Sequence, residues 1–365
     1  MGKVDPDKSD MTVSKPTVLR IPSKKYEKGN HWSVEQDCRD THIGCQTTQS
    51  QLQIKPGFHP VKTEVTLELC SLIDQEEEKM ADLRLLACFA HPDDEAFPVG
   101  GLLASNVAAG RRVRLVTTTL GEEGEIRQEG SATKETLGQI RRIELSCAVK
   151  ALGLESHELL EYRDSGMAGW DANDHPRAYI NANDYIVIER LVREIREFRP
   201  QVILTFEPGG LYGHPDHIAI SNHTTTAFDL AADPTAFPNQ LATGLKPHAP
   251  QRLFYSARPK GFRLEWAKKL RAAGEDFPLP TTEQLTHGNP PEEIHLTLDL
   301  SAHLETKMAC ILCHRTQVAP SWPYHRVPRE VAEWVMGREY YIRARPDVPP
   351  GEKVSDDIFH NIAPD

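Results

Sequence analysis

The sequence predicts an α/β protein built on a mostly parallel, doubly wound sheet. From residue 83 onward, short apolar runs of strand length alternate with amphipathic stretches of helix length. Repeated strand–helix–strand order requires right-handed crossovers, which place helices on both faces of a parallel sheet. Two of the apolar runs are followed by a His-Pro-Asp sequence. These observations favour a Rossmann-like architecture, and weaker patterning near the C-terminus indicates a segment that covers it.

The predicted strands and helices follow one another along the chain. Strands are predicted where apolar or β-branched residues run continuously or alternate, at 83–90, 113–118, 158–162, 202–206, 252–256 and 295–300. Helices are predicted between them, at 100–109, 135–152, 184–198, 218–231, 262–273 and 302–314. Gly110 and Gly153 close the first two helices, and Pro200 ends the third.

The two ends of the chain differ from its middle. Residues 1–79 are rich in Lys, Ser, Thr, Gln and Asp and show little periodicity, so we expect a polar, disordered leader. Met80 closely precedes the first core strand and is a candidate natural start. Residues 80–325 are expected to form the main domain, and residues 326–365 a covering segment and tail.

Composition excludes several classes of protein. The net charge of −11 and the absence of a basic stripe argue against a nucleic-acid partner. No apolar run is long enough for a membrane span, and the first residues do not resemble a signal peptide. The seven cysteines are scattered in a chain large enough for a core, which favours a reducing cytoplasm over a disulfide framework. A homo-oligomer is left open.

The first polar cluster lies at the end of the predicted strand 83–90. His91 and Asp94 have the ligand chemistry for zinc, and Asp93 between them is a candidate general base. Ligands of open α/β sheets bind beyond the carboxyl ends of strands, where this cluster lies. The alternative is an acidic turn that caps the next helix.

The second cluster, at His214 and His217, follows another buried strand and can meet the first at one edge of the sheet. A catalytic zinc ion has three protein ligands and one open position, so one of these histidines would complete the site. His217 is preferred because it opens a helix, whereas His214 lies on a Gly-flanked turn. A separate pair, Cys310 and Cys313, would share one helix face, which favours buried structural thiols over half of a zinc motif.

The order and spacing of these motifs resemble the LmbE/PIG-L superfamily of zinc-dependent N-deacetylases. Within it, the closest resemblance is to the mycothiol-pathway branch that acts on an N-acetylglucosaminyl-inositol. The motifs that carry the resemblance are His91-Pro92-Asp93-Asp94-Glu95, Thr119-Leu120-Gly121-Glu122-Glu123-Gly124-Glu125, Arg141 with Glu144, Arg163-Asp164-Ser165-Gly166, Gly210-Leu211-Tyr212-Gly213-His214-Pro215-Asp216-His217 and, weakly, His314-Arg315-Thr316-Gln317. They span about residues 82–320, and the resemblance makes residues 80–325 the catalytic domain.

The resemblance implies a role for each matching residue. Zinc ligands would be His91, Asp94 and His217, and Asp93 would be the general base. His214 and Tyr212 would stabilise the oxyanion, Asp216 would orient His214, and substrate contacts would come from Glu125, Arg141 and Asp164. Leu211 departs from the more frequent Gly-Gly-Tyr run of the superfamily.

The expected activity is therefore removal of acetyl from an N-acetylated aminosugar, an N-acetylglucosaminyl conjugate. Two alternatives remain: an amidase of the same superfamily that cleaves a thiol conjugate such as a mycothiol conjugate, and a zinc-stabilised carbohydrate-binding protein without turnover. A site of two histidines and one aspartate suits ferrous iron as well as Zn²⁺. The sequence does not identify the aglycone.

Overall fold

The structure, a computed structural model, describes residues 83–362. The predicted leader 1–79 and the candidate start at Met80 lie outside the described residues. Within them, the predicted strand and helix bounds agree with the structure to within about three residues at either end, the usual uncertainty of element ends.

Seven strands form one sheet: β1 Arg84–Phe89, β2 Arg112–Thr119, β3 Ser156–Tyr162, β4 Val202–Phe206, β5 Arg252–Ala257, β6 Leu296–Asp299 and β7 Arg338–Arg345. The longer helices are α1 Gly100–Ala108, α2 Leu137–Leu152, α3 Asp184–Phe198, α4 Pro215–Leu230, α5 Phe262–Ala272, α6 Leu304–Cys313 and α7 Arg329–Met336. Shorter α-helical and 3₁₀ turns lie at Asp171–Asp174, Tyr179–Asn181, Gly210–Gly213, Pro238–Ala242, Pro291–Glu293, Ser301–His303 and Pro323–His325.

The strand order β3-β2-β1-β4-β5-β7-β6 makes the sheet doubly wound. Strands β1 to β5 pair in parallel, and β7 is antiparallel to β5 and β6. The direction of winding reverses between β1 and β4, which are neighbours in register from Leu85 opposite Val202. A crevice at such a switch point is where doubly wound sheets bind ligands. Both histidine clusters follow these two strands.

The sequences of β1 and β4 are continuous apolar runs because both strands lie in the core. Both strands are buried on both faces, and Leu85, Phe89 and Phe206 are fully buried. The rings of Phe89 and Phe206 pack edge to face with centroids 4.8 Å apart. This packing fixes the two strand ends that carry the clusters.

The C-terminal segment does more than cover the sheet. Ile358 and Phe359 are buried against the core, as a covering segment requires. However, β7 lies inside the sheet, between β5 and β6, and its Tyr341 is fully buried. The sequence of β7 is Arg-Glu-Tyr-Tyr-Ile-Arg-Ala-Arg. Four of its eight residues are charged, so the apolar pattern that predicts an internal strand is missing, although β7 pairs on both sides.

A disulfide corrects the expectation drawn from the cysteines. Cys147 of α2 and Cys313 of α6 are joined, with their Cα atoms 5.6 Å apart. Cys310 remains a free, buried thiol, so Cys310 and Cys313 do not act as a pair. Sequence spacing could not reveal this link, because 166 residues separate the partners.

None of the helices in the part of the chain that the structure describes is long and apolar enough to cross a membrane.

Candidate metal centre and active site

The end of β1 folds into a turn that is held by the carboxylate of Asp94. Its Oδ2 accepts hydrogen bonds from the backbone N–H groups of Ala90, at 3.2 Å, and His91, at 2.7 Å. Strand β1 ends at Phe89, and Pro92, which has no N–H to donate to a ladder, prevents the strand from resuming. The turn therefore points the side chains of His91 and Asp94 into the same space above the sheet.

The end of β4 leads into a tight loop that brings the second cluster back over the sheet. Gly210 has φ +66°, and a Cβ atom there would lie 2.9 Å from the Cβ of His217. Leu211, which interrupts the Gly-Gly-Tyr run more frequent in the superfamily, also has a positive φ of +62°. The following helix α4 begins at Pro215, which suits a first helical position, and His217 lies in its first turn.

Donor atoms of three residues converge from the two clusters, and Asp94 contributes both of its carboxylate oxygens. His91 Nδ1 lies 3.1 Å from His217 Nε2 and 3.6 Å from Asp94 Oδ2, and His217 Nε2 lies 3.4 Å from Asp94 Oδ1. Ligands bound about 2.0–2.2 Å from a tetrahedral zinc ion are separated by about 3.3–3.6 Å. All three residues are buried. The donor set and its spacing therefore fit one metal ion.

The remaining nitrogens of the two histidines have the partners that metal-binding histidines need. His91 Nε2 lies 3.2 Å from Asp216 Oδ2, and His217 Nδ1 lies 3.3 Å from the carbonyl oxygen of Gly210. A carboxylate or carbonyl behind the ring fixes its tautomer and orientation. The ring of His217 also stacks on Phe206 at 4.1 Å. Both imidazoles are thus held in orientation by groups outside the proposed ligand set.

The partner of Asp216 differs from the one the sequence suggested. Its carboxylate accepts from the Ser165 N–H at 2.9 Å and faces His91, not His214. Only the backbone of Asp216 reaches His214, where its N–H donates to Nδ1 at 3.2 Å. The first turn of α4 points the two side chains apart, a direction that linear order does not specify.

The pKa values of the three converging residues, His91, His217 and Asp94, are shifted in different directions. Burial lowers the pKa of His91, but the surrounding carboxylates of Asp164, Asp216 and Asp94 raise it well above its ordinary value. Burial lowers the pKa of His217 to about 4. Although burial opposes it, the neighbouring His217 and His91 hold the pKa of Asp94 far below its ordinary range. Asp94 is therefore a carboxylate at neutral pH, the form that binds metal.

Asp93 is beside these donor atoms but faces a different partner. Its Oδ2 lies 3.4 Å from Nη2 of Arg141, a buried residue of α2. Burial raises the pKa of Asp93 to about 6, against the attraction of Arg141. A carboxyl group with a pKa near neutrality suits proton transfer. Asp93 also has φ +99°, a conformation that costs about 1–3 kcal/mol and persists only where the surrounding structure imposes it.

His214 and Tyr212 border the same space. Burial and the charge of His91 lower the pKa of His214 to about 3, so its ring is neutral at neutral pH. Since Nδ1 accepts the Asp216 N–H, the ring proton is on Nε2. Tyr212 is partly exposed, with its ring 5.1 Å from His217 and 6.1 Å from His214.

The three predicted substrate residues lie in different environments. Asp164 is buried against the histidines, with Oδ1 3.4 Å from His91 Nε2 and 3.9 Å from His214 Nε2. Arg141 donates to the carbonyl oxygens of Gly121 and Pro92 besides its contact with Asp93. Glu125 is on the surface, where 76% of its side chain is exposed and it pairs with Arg127. The structure therefore brings Asp164 and Arg141, but not Glu125, to the cluster.

Contacts behind the cluster were not singled out from the sequence. Glu95 and His314 form a buried pair with Oε1 and Nε2 2.5 Å apart. Glu144 accepts from the backbone N–H and the hydroxyl of Thr316, both at 2.7 Å, and does not pair with Arg141. No local pattern predicts these contacts, because the partners of Glu95 and Glu144 are 219 and 172 residues away in the sequence.

Comparison with known sequences covers most of the chain. The family described as PIG-L: GlcNAc-PI de-N-acetylase matches residues 86–228. A 1D-myo-inositol 2-acetamido-2-deoxy-alpha-D-glucopyranoside deacetylase of Thermomonospora curvata is 37% identical over 287 residues, which are 75% of this chain and 94% of the relative. A relative of the same name from Acidothermus cellulolyticus is 36% identical over 291 residues, 76% of this chain and 94% of its own.

Solved structures share the fold. An N,N'-diacetylchitobiose deacetylase from Pyrococcus horikoshii aligns with a TM-score of 0.52 at 18% identity, covering 85% of this chain and 98% of its own. The 4-carboxy-2-hydroxymuconate hydratase GalB of Pseudomonas putida aligns with a TM-score of 0.50 at 19% identity, covering 75% of this chain and 100% of its own. A hydratase and a deacetylase thus share this fold, so the fold alone does not define a reaction. The sequence relatives, which are far more similar, do define the family: the chain belongs to the PIG-L, GlcNAc-PI de-N-acetylase, family.

Proposed function

We propose that this protein is a zinc-dependent hydrolase that removes acetyl from an N-acetylglucosaminyl conjugate, with release of acetate and a free amine. The convergence of His91, Asp94 and His217 beside the carboxylate of Asp93 is the observation that carries this proposal. The substrate class follows the name of the sequence relatives, whose substrate is an N-acetylglucosaminyl-inositol. Because the relatives align along most of their own length, we extend that substrate to this chain.

His91, Asp94 and His217 would hold the metal ion. When bound, a zinc ion polarises a carbonyl oxygen and lowers the pKa of a water molecule. Zinc is the metal proposed because catalytic zinc ions are held by two histidines and one carboxylate with one position open.

Asp93 would accept the proton of the attacking water as the new C–O bond forms. The same carboxyl group would then give this proton to the nitrogen as the C–N bond breaks, so that the amine leaves neutral. His214 would donate its Nε2–H, and Tyr212 its hydroxyl, to the oxyanion that develops on the carbonyl oxygen. Asp164 and Arg141 would border the sugar, and Glu125 could reach a substrate only from the rim.

The first experiment measures acetate release from N-acetylglucosaminyl-inositol by the zinc-loaded protein. We expect Asp93→Ala to lower kcat by about 10²–10⁴-fold, the range for loss of a general base, while the protein keeps its metal. His217→Ala should lose metal as well as activity. Metal analysis of each variant alongside its rate separates the two roles, and the metal content of the protein as purified, before zinc is added, distinguishes zinc from iron.

The same assay distinguishes the alternatives. Preferential hydrolysis of a cysteinyl-glucosaminyl-inositol amide would make the protein a thiol-conjugate amidase. Binding of the acetylated sugar without acetate release, unchanged by Asp93→Ala, would make it a carbohydrate-binding protein. Either result would overturn the proposed deacetylation.

A further inference from the structure

Asp93 has a backbone conformation that its own sequence does not favour. At φ +99° it adopts a region that side-chain-bearing residues rarely occupy. Such a residue persists only where neighbouring groups impose its conformation. The carbonyl oxygen of Asp93 accepts from the N–H groups of Ala96 and Phe97 at 3.0 and 3.1 Å. Its own N–H donates to Oε2 of Glu95 at 3.0 Å.

Glu95 is anchored from behind. It is fully buried, and its other oxygen, Oε1, lies 2.5 Å from Nε2 of His314, which is also fully buried. This short contact between two fully buried side chains makes them a hydrogen-bonded pair, and Glu95 raises the pKa of His314 although burial opposes it. A buried carboxylate is tolerated when it is paired and hydrogen-bonded in this way. The thiol of Cys310 adds a weak contact at 3.9 Å.

The loop that carries His314 is itself held by helix α2. His314 directly follows α6, and two residues later Thr316 is held by Glu144 of α2. The same helix α2 supplies Arg141, which contacts the carboxylate of Asp93. Asp93 is therefore held at its backbone through Glu95 and at its side chain through Arg141.

A second metal site does not account for Glu95 and His314. Together with Cys310 they offer three potential ligand atoms within 4.8 Å of one another. However, Glu95 Oε1 and His314 Nε2 are 2.5 Å apart, in direct contact, whereas two ligands of a tetrahedral zinc ion are separated by about 3.3–3.6 Å. The arrangement is that of a charge-assisted hydrogen bond.

We propose that Glu95 and His314 are positioning residues that fix the backbone of Asp93 and so aim its carboxylate, without contacting the substrate or the metal. This inference rests on the proposed function, in which Asp93 transfers the proton. Glu95 acts through the Asp93 N–H, and His314 keeps the carboxylate of Glu95 in place.

The test is Glu95→Gln in the full-length, zinc-loaded protein, with kcat, KM and zinc affinity measured separately. Zinc affinity is obtained by competition with a chelator, independently of turnover. The amide keeps the size of the side chain but loses the charge that pairs with His314. We expect kcat to fall about 10- to 100-fold, as is typical when a supporting partner is lost, with KM and zinc affinity unchanged.

Glu339→Gln is the matched control. Glu339 is equally buried, accepts from the backbone N–H groups of Gly101 and Leu102 at 2.8 and 3.0 Å, and pairs with Lys307 at 2.6 Å. It therefore presents the same chemistry, but it supports the start of α1 and not Asp93. This variant should lose thermal stability while its kcat remains close to that of the unsubstituted protein.

A double-variant cycle tests whether Glu95 acts through Asp93. On the Asp93→Ala background, Glu95→Gln should cause no further fall in the residual rate, because the group that it positions is gone. If Glu95→Gln does not fold, His314→Gln, which leaves the carboxylate of Glu95 in place, should show the same pattern.

Three results would overturn the proposal. The first is an unchanged kcat in both Glu95→Gln and His314→Gln, and the second is a fall in rate from Glu95→Gln that is as large on the Asp93→Ala background as in the unsubstituted protein. The third is a loss of zinc affinity in Glu95→Gln large enough to explain its lower kcat. Each of these is readable only if the unsubstituted protein releases acetate. Its failure to do so would reject the proposed function instead, so the two failures are distinguishable.

Discussion

At the scale of single residues, the geometry assigns contacts that the residue types alone leave open. Asp216 is the clearest case, because its carboxylate lies behind His91, the first of the proposed metal ligands. A histidine whose far nitrogen faces a carboxylate binds metal in a fixed tautomer and orientation. The neutral His214, in contrast, receives only a backbone N–H from Asp216. Asp216 thus orients the proposed ligand His91 with its carboxylate and the proposed oxyanion donor His214 with its backbone N–H.

Asp216→Asn should therefore weaken zinc binding by about 10- to 100-fold, because the amide supports the His91 ring less well than a carboxylate does. The measurement is zinc competition with a chelator on the purified variant. Asp184→Asn is the control, since Asp184 Oδ1 contacts His223 Nε2 at 3.0 Å in a pair outside the cluster. Equal zinc affinity of Asp216→Asn and the unsubstituted protein would contradict the assigned contact.

At the scale of elements, the site depends on helices that do not themselves carry metal ligands. Helix α2 supplies Arg141 and Glu144, and the loop that follows α6 supplies His314 and Thr316. The disulfide between Cys147 and Cys313 joins these two helices directly before His314. The covalent link and the Glu144–Thr316 hydrogen bonds thus hold the same pair of helices together.

Replacing both Cys147 and Cys313 by Ser should lower the free energy of unfolding by about 2–5 kcal/mol, the usual cost of removing a native disulfide. Urea unfolding of the double variant, compared with the unsubstituted protein with and without a reductant, measures this cost. The reduced protein should unfold at the same urea concentration as the variant. A variant that unfolds together with the oxidised protein would show that the link does not stabilise the fold.

At the scale of the whole molecule, the C-terminal segment completes the sheet. Strand β7 pairs with β5 from Leu253 opposite Arg345 and with β6 from Leu296 opposite Tyr341. Without it, β6 has no strand to pair with and the edge of β5 is left open. An unpaired edge exposes backbone N–H and C=O groups that join other chains.

A chain that ends at Met336 should therefore fail to give a cooperative thermal transition and should aggregate. A chain that ends at Pro350 keeps β7 and loses the buried Ile358 and Phe359, so it should fold with a lower Tm. Circular dichroism melting curves and size-exclusion chromatography of both chains provide the comparison. Native-like melting of the chain that ends at Met336 would mean that the segment only covers the sheet.

The sequence by itself determined the order of β1 to β6 and α1 to α6 and the two clusters at the ends of β1 and β4. These features are local: apolar runs, Pro92 after a strand and Pro215 at the start of a helix act over a few residues. The convergence of His91 and His217 was also predictable, because parallel neighbouring strands bring their carboxyl ends to one edge.

Only the tertiary structure decided which side chains meet. It turned Asp216 toward His91, left Glu125 on the surface and paired Glu95 with His314 across 219 residues. It also inserted β7 into the sheet. Such contacts depend on side-chain direction and on the packing of distant elements, and these are properties of the folded chain that no local pattern in the sequence encodes.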